Sequence, residues 1–357
     1  MIISNEAIEW LDKNNLLEKA KANIENFRHI FQNCLNADKE EILIIGDKGT
    51  EKNKIAPILA GSYFLAAREL NLSVHLILQE TKAKGKKADE KVIKGLADLK
   101  QNNIAILALS KKLGKMGHLG DSFRTFTKEN FHRFVSATNL GNLGEEKIQD
   151  VLDAINIDYK QLEEKAMKIK NILDNAEEIR ITTEAGTDLT VGIKGKKAVI
   201  NAGNYKEPGT GGNLPAGEVY IPPKWKNVSG TAVIDGSSAA KEGTILIKTP
   251  IKLTIENGEI TDIEGKEEAE KLKETLDWAY KRAKHPWGIR RIGELGIGIN
   301  PKAKIIGATI VDEKALGTAH IAIGSNHWFG GTIYAIIHLD QVFRNPKIYI
   351  DNKLLKI

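Results

Sequence analysis

A chain of 357 residues, 41% of them apolar and 28% charged, is globular rather than disordered, and its length suits two domains of ordinary size. Its one cysteine, Cys34, excludes an intramolecular disulfide and a thiolate zinc site. The net charge of +5 is spread over lysines interspersed with glutamates, as in Glu163-Glu164-Lys165; nine of the 52 basic residues are arginine, so a nucleic-acid partner is not expected.

In chain order, residues 1–36 read as helix, with Cys34 as an inert core thiol. Glu41–Gly46 is a short apolar run with the length and flanks of a buried parallel strand. Ile55–Leu70 has helical spacing, Val74–Leu78 and Ile104–Leu109 read as further strands, and a lysine-rich helix or loop fills 81–98. Strands alternating with helices predict βαβ units and a parallel sheet. Gly46-Asp47-Lys48-Gly49 matches neither of the glycine-rich phosphate-binding patterns. Residues 145–176 form one amphipathic helical stretch. After it come short alternating runs, Ile179–Thr183, Leu189–Ile193, Ala198–Asn201, Ile245–Ile247, Leu253–Glu256 and Ile260–Glu264, which predict antiparallel strands, with one helix at about 266–284. The expected architecture is an N-terminal α/β domain over 1–175 and a mostly antiparallel β domain over 176–357. No run approaches the roughly 18 apolar residues of a membrane span, and Glu6 comes too early for a secretory signal, so the cytoplasm is the expected compartment and no membrane partner is expected.

The second domain holds the candidate chemistry. His338-Leu339-Asp340 would project both polar side chains from one face of an apolar strand, where a carboxylate needs a cation or a hydrogen-bond partner. His320 lies in an apolar strand bracketed by Gly317 and Gly324, and Gly330-Gly331 suits a tight connection to the next strand. Glu218 sits among apolar, small and proline residues, and Glu294 is the one charge in a run of glycines and isoleucines. Two imidazoles and three carboxylates exceed what one ion needs and suit a bridged pair. Glu313 is weaker, because its polar neighbours read as a solvated turn.

These motifs, with Gly186-Thr187-Asp188-Leu189, resemble the aminopeptidase T/aminopeptidase S family of metallopeptidases over most of 175–357. They also resemble a sister group that includes an iron-dependent 2,5-dihydroxypyridine dioxygenase. The peptidase resemblance implies that Glu218, Glu294, His320, His338 and Asp340 bind two divalent ions, zinc, cobalt or manganese, with Glu294 bridging. It also implies a third glutamate shortly before the first histidine, for which Glu313 is nearest, and a tyrosine seven residues after it, where this chain has His327. The leading expectation is therefore a dinuclear metallo-aminopeptidase acting on peptides. Glu218 or Glu294 would shuttle the proton and His327 would stabilise the oxyanion. The alternative expectation is a mononuclear Fe(II) dioxygenase using His320, His338 and Asp340, acting on a small aromatic substrate. A metal-binding protein without catalysis is a third. The resemblance implies a homodimer.

Overall fold

The isoleucine-rich runs of the N-terminal half pair side by side, as apolar strands with helices over both faces must. In the computed structural model, which describes residues 2–83 and 85–357, Glu41–Asp47 lies between Ser73–Gln79 and Ile104–Ala108, and the sheet continues through Arg133–Ala137 to Gly211–Asn213. Every pair in it is parallel. The helix Ile55–Glu69 is buried along nearly its whole length. Asp47 closes the first strand: its carboxylate accepts from the Ser110 amide at 2.8 Å, the Ser110 hydroxyl at 2.7 Å and the Gly49 amide at 3.0 Å. That is a structural use of Gly46-Asp47-Lys48-Gly49.

Helical periodicity overran several ends. The stretch 1–36 breaks into Ile2–Lys13, Leu17–Lys21, Glu25–His29 and a π turn at Ile30–Cys34. Asn15 follows the first of these with φ of 57°, a left-handed conformation that asparagine tolerates and helices do not continue through. The stretch 145–176 divides into Ile148–Ile155 and Tyr159–Leu173. Among the described residues of the lysine-rich segment only Glu90–Asp98 is helical. Cys34 is buried, and burial pushes its thiol well above the ordinary range.

Two antiparallel seven-stranded sheets make up most of the rest, so the α/β plus antiparallel β architecture stands as expected. One sheet runs Glu259–Glu264, Ile251–Glu256, Val228–Ile234, Asp188–Gly192, Glu178–Thr182, Lys347–Ile350, Lys353–Leu354. The other runs Gly243–Leu246, Ser237–Ala240, His338–Arg344, Thr318–Gly324, Ile292–Gly298, Glu218–Ile221, Val199–Asn201. The helix Glu267–Arg282 has Glu267, Glu268 and Glu270 in its first turn and Lys281 and Arg282 in its last, as the helix dipole favours.

The chain forms two compact units, one of Met1–Lys160 with Gly203–Ala216, the other of Gln161–Ala202 with Gly217–Ile357. The single boundary near 175 expected from composition does not express this interleaving. Gly203–Ala216 returns to the first unit because Gly211–Asn213 pairs with Arg133–Ala137 as the edge of the parallel sheet. Among the described residues no helix is long and apolar enough to cross a membrane.

Candidate metal centre

Three neighbouring strands of the second unit bring the polar side chains together by register. Glu294 pairs with Ala322 and Ala322 with Asp340; Gly296 pairs with His320, and Gly324 with His338. Directly opposed residues project from the same face. Glu294, His320, His338 and Asp340 therefore share one side of the sheet, and a fourth strand sets Glu218 opposite Gly298. The positions between them on that face are Gly296, Gly298, Ala322 and Gly324, small enough to leave room. A Cβ on Gly296 would collide with the His320 ring. Gly293 sits at a register shift in the Ile292–Gly298 strand, a bulge that aims Glu294 into the cluster.

His320 Nε2 lies 3.1 Å from Glu294 Oε1 and 3.8 Å from Glu218 Oε2. His338 Nε2 lies 3.3 Å from Asp340 Oδ1 and 3.6 Å from Glu294 Oε2. His338 Nδ1 donates to the Ser325 carbonyl at 2.8 Å, which fixes the ring with Nε2 facing the carboxylates. Ligand atoms of Glu294, His320 and Asp340 lie within 4.8 Å of one another, as do those of Glu218, Glu313 and His320. His320 is fully buried and the carboxylates nearly so, whereas His338 is one-quarter exposed. Its imidazole is the wet edge of the cluster.

Five of the six ligands expected from sequence thus converge in one sheet, and Glu313 joins them from the end of the short helix Thr309–Asp312. It is buried rather than in the solvated turn its neighbours suggested. His327 takes a different place. It lies within the 13-residue connection, 325–337, that joins the His320 and His338 strands in place of the tight turn expected from Gly330-Gly331. Its ring stacks on Tyr334 at 4.3 Å, and its neighbour Trp328 stands edge-on to His338 at 5.0 Å. His327 Nδ1 lies 2.9 Å from Ser325 Oγ, whose hydroxyl is also 3.1 Å from the Ile333 carbonyl.

Lys314 was not legible as part of the site. It is fully buried, and its ammonium donates to Glu218 Oε1 at 2.5 Å and also to Glu313. Its backbone carbonyl accepts from the Asn300 amide at 2.8 Å, tying it to the segment that follows the strand Ile292–Gly298. In Asp312-Glu313-Lys314 nothing in composition separates this lysine from a surface one.

Four carboxyl groups surround two imidazoles and one ammonium, so the cluster is short of positive charge. Burial by itself lowers the histidines and raises the acids. At His320 the bond to Glu294 and the nearby carboxylates overcome burial and lift the imidazole to about 9. At His338, Asp340 does the same and lifts it to about 10. Burial would raise Asp340, but the His338 charge holds it below the usual carboxylate range. Burial raises the Glu313 carboxyl, with Lys314 opposing. A divalent cation fits this donor set: it meets the charge deficit and takes the same Nε2 lone pairs as the protons. Metal binding is therefore expected to release protons at neutral pH. Affinity should rise by up to about tenfold per pH unit for each proton displaced, until pH passes about 10, as measured by chelator competition from pH 6 to 9. A flat profile would contradict it. Gly296→Ala is expected to weaken metal binding by about 10–100-fold by pushing the His320 ring aside, with the fold retained by circular dichroism.

Comparison with known proteins bears on which chemistry such a centre runs. The family model described as NicX, 2,5-dihydroxypyridine 5,6-dioxygenase, matches residues 22–356. The 2,5-dihydroxypyridine 5,6-dioxygenase of Pseudomonas putida (strain KT2440) is 28% identical over 198 residues, which cover 53% of this chain and 55% of that protein. The matched segment thus spans about half of the relative's length. The solved structure of the 2,5-dihydroxypyridine dioxygenase from Pseudomonas putida KT2440 superposes with a TM-score of 0.71 at 18% identity, covering 95% of this chain and 96% of that one. Wild-type AmpT from Thermus thermophilus superposes with a TM-score of 0.63 at 17% identity, covering 94% and 97%. Both likenesses show a shared fold.

The leading expectation from sequence, a metallo-aminopeptidase and hydrolase acting on peptides, is overturned by the near full-length family match and the curated relative. The motifs that suggested it lie on a fold shared with AmpT, and ligand-type residues on a common fold do not fix the reaction. A metal cofactor remains in keeping with both the family and the donor set. Matched over 22–356, the chain belongs to the 2,5-dihydroxypyridine 5,6-dioxygenase family.

Proposed function

We propose that the protein is a mononuclear Fe(II) dioxygenase that opens an electron-rich dihydroxylated pyridine ring, with 2,5-dihydroxypyridine as the first substrate to test. One observation carries this reading: two imidazoles and a carboxylate, His320, His338 and Asp340, meet in one buried cluster of a chain from a dioxygenase family. Two histidines and one carboxylate suit Fe(II) and leave positions open. When bound there, Fe(II) supplies the one-electron chemistry that lets ground-state dioxygen react with an organic ring.

The remaining residues bind and orient. Glu294 touches both imidazoles and holds their rings toward a common point. Substrate approaches over His338, the exposed edge of the cluster. There Trp328, half exposed, and the His327–Tyr334 stack offer flat faces to a planar heteroaromatic ring. We assign the His327 imidazole, next to Trp328, as the group that takes a ring hydroxyl proton.

The test is anaerobic reconstitution with Fe(II), then dioxygen uptake with 2,5-dihydroxypyridine, other hydroxypyridines and catechol. The expected result is one dioxygen consumed per ring lost, both atoms of ¹⁸O₂ in the product, and none with Zn(II). Iron retained with no uptake on any of these rings would sink the reading. Trp328→Ala is expected to raise KM about 3–10-fold, the worth of one aromatic contact, with a smaller change in kcat.

A further inference from the structure

We propose that the Lys314 ammonium takes the place of a second metal ion, so that the centre holds one divalent cation where its carboxylates would otherwise hold two. Six side chains able to bind metal converge here, and five of them form two overlapping three-residue groups that share His320. One group, Glu294 with His320 and Asp340, meets His338. The other, Glu218 with Glu313 and His320, already contains a cation. Lys314 Nζ stands 2.5 Å from Glu218 Oε1 and bonds Glu313 as well.

Two features show that this ammonium is built in rather than incidental. The Lys314 side chain is fully buried, although a lysine is rarely buried unless it is paired. Its backbone is held at both ends of the contact. Asn300 donates to the Lys314 carbonyl at 2.8 Å, and Lys314 donates to Val311 at 3.0 Å. Asp312, immediately before Glu313, accepts from the Ile306 amide at 2.7 Å and fixes the loop that presents them. A dication bound by Glu218 and Glu313 would have to sit against this ammonium, and like charges at contact distance disfavour it. Glu218 and Glu313 then serve to hold Lys314 and the His320 side of the cluster, leaving the Glu294–His320–His338–Asp340 face for the single ion.

The inference rests on the metal-centre reading above and not on its oxygen chemistry. Its test uses Mn(II), counted by mass spectrometry and read by electron paramagnetic resonance. The wild-type chain is expected to hold one Mn(II) with an uncoupled six-line signal. Lys314→Met, which keeps length and removes charge, is expected to hold two, with the signal broadened by a coupled pair. The charge-balanced variant Glu313→Gln/Lys314→Met, should the single variant not fold, is expected to fold and return to one. Two ions on the wild type, one ion on folded Lys314→Met, or loss of all metal from the charge-balanced variant would each overturn the inference. One ion on the wild type with no dioxygen uptake would leave it standing while removing the proposed reaction; uptake with two ions would do the reverse.

Discussion

His338→Ala is expected to cost more than about 100-fold in Fe(II) affinity and to remove measurable dioxygen uptake. Changes to groups that merely support a ligand cost about 10–100-fold, and a ligand itself should cost more. His338 is the side chain with the most to lose. Its Nδ1 is spent on the Ser325 carbonyl, so Nε2 has one orientation, toward Asp340 and Glu294. Removing it also strips Asp340 of the partner that holds its carboxylate below the ordinary range. Fe(II) titration followed by chelator competition measures the affinity, and an oxygen electrode measures turnover. Undiminished iron binding with lost turnover would move His338 from the metal to the substrate.

Lys314→Met is expected to destabilise the metal-free protein by about 3–5 kcal/mol, because it strands buried Glu218 and Glu313 without their cation. Removing an exposed lysine should do far less. Lys271 pairs with Glu267 across the surface of the helix Glu267–Arg282, with both side chains in solvent, and its loss should leave the unfolding midpoint nearly unchanged. Urea unfolding in chelator, followed by tryptophan fluorescence, compares the two. Four of the five tryptophans, Trp225, Trp278, Trp287 and Trp328, lie in the unit that carries the centre, so the signal reports on it directly. Divalent metal should restore much of the loss in Lys314→Met, since an ion bound only by the folded state stabilises it by mass action. Equal small losses in both variants would show that Lys314 carries no more than a surface charge does.

These two lysines mark where sequence reading stops. Lys271 and Lys314 both stand beside glutamates, and both read as solvated. The difference is made by residues far away in the chain: Asn300 anchors the Lys314 backbone, and Glu218 reaches it across 96 positions. Glu313 was misjudged for the same reason, its polar neighbours being buried partners and not a wet turn. The overrun helices had a more local cause. Periodicity records which residues face a core, and it continues across breaks such as that between Ile148–Ile155 and Tyr159–Leu173.

Other features were legible at once, because their physical cause is local. Apolar runs of strand length alternating with helical spacing force a parallel sheet. A histidine and an aspartate two apart on a strand must share a face, and His338 and Asp340 do, at 3.3 Å. A lone glutamate among glycines announces a backbone cleared for something, and Gly296 does clear the place of the His320 ring. The sequence by itself therefore determined the architecture and most of the candidate ligand set. Only the tertiary structure decided that Gly211–Asn213 rejoins the first sheet, that Lys314 enters the site, and that His327 stacks on Tyr334 beside it. Those outcomes depend on register between strands distant in the chain, and the energy of a buried charge depends on which partners that register supplies.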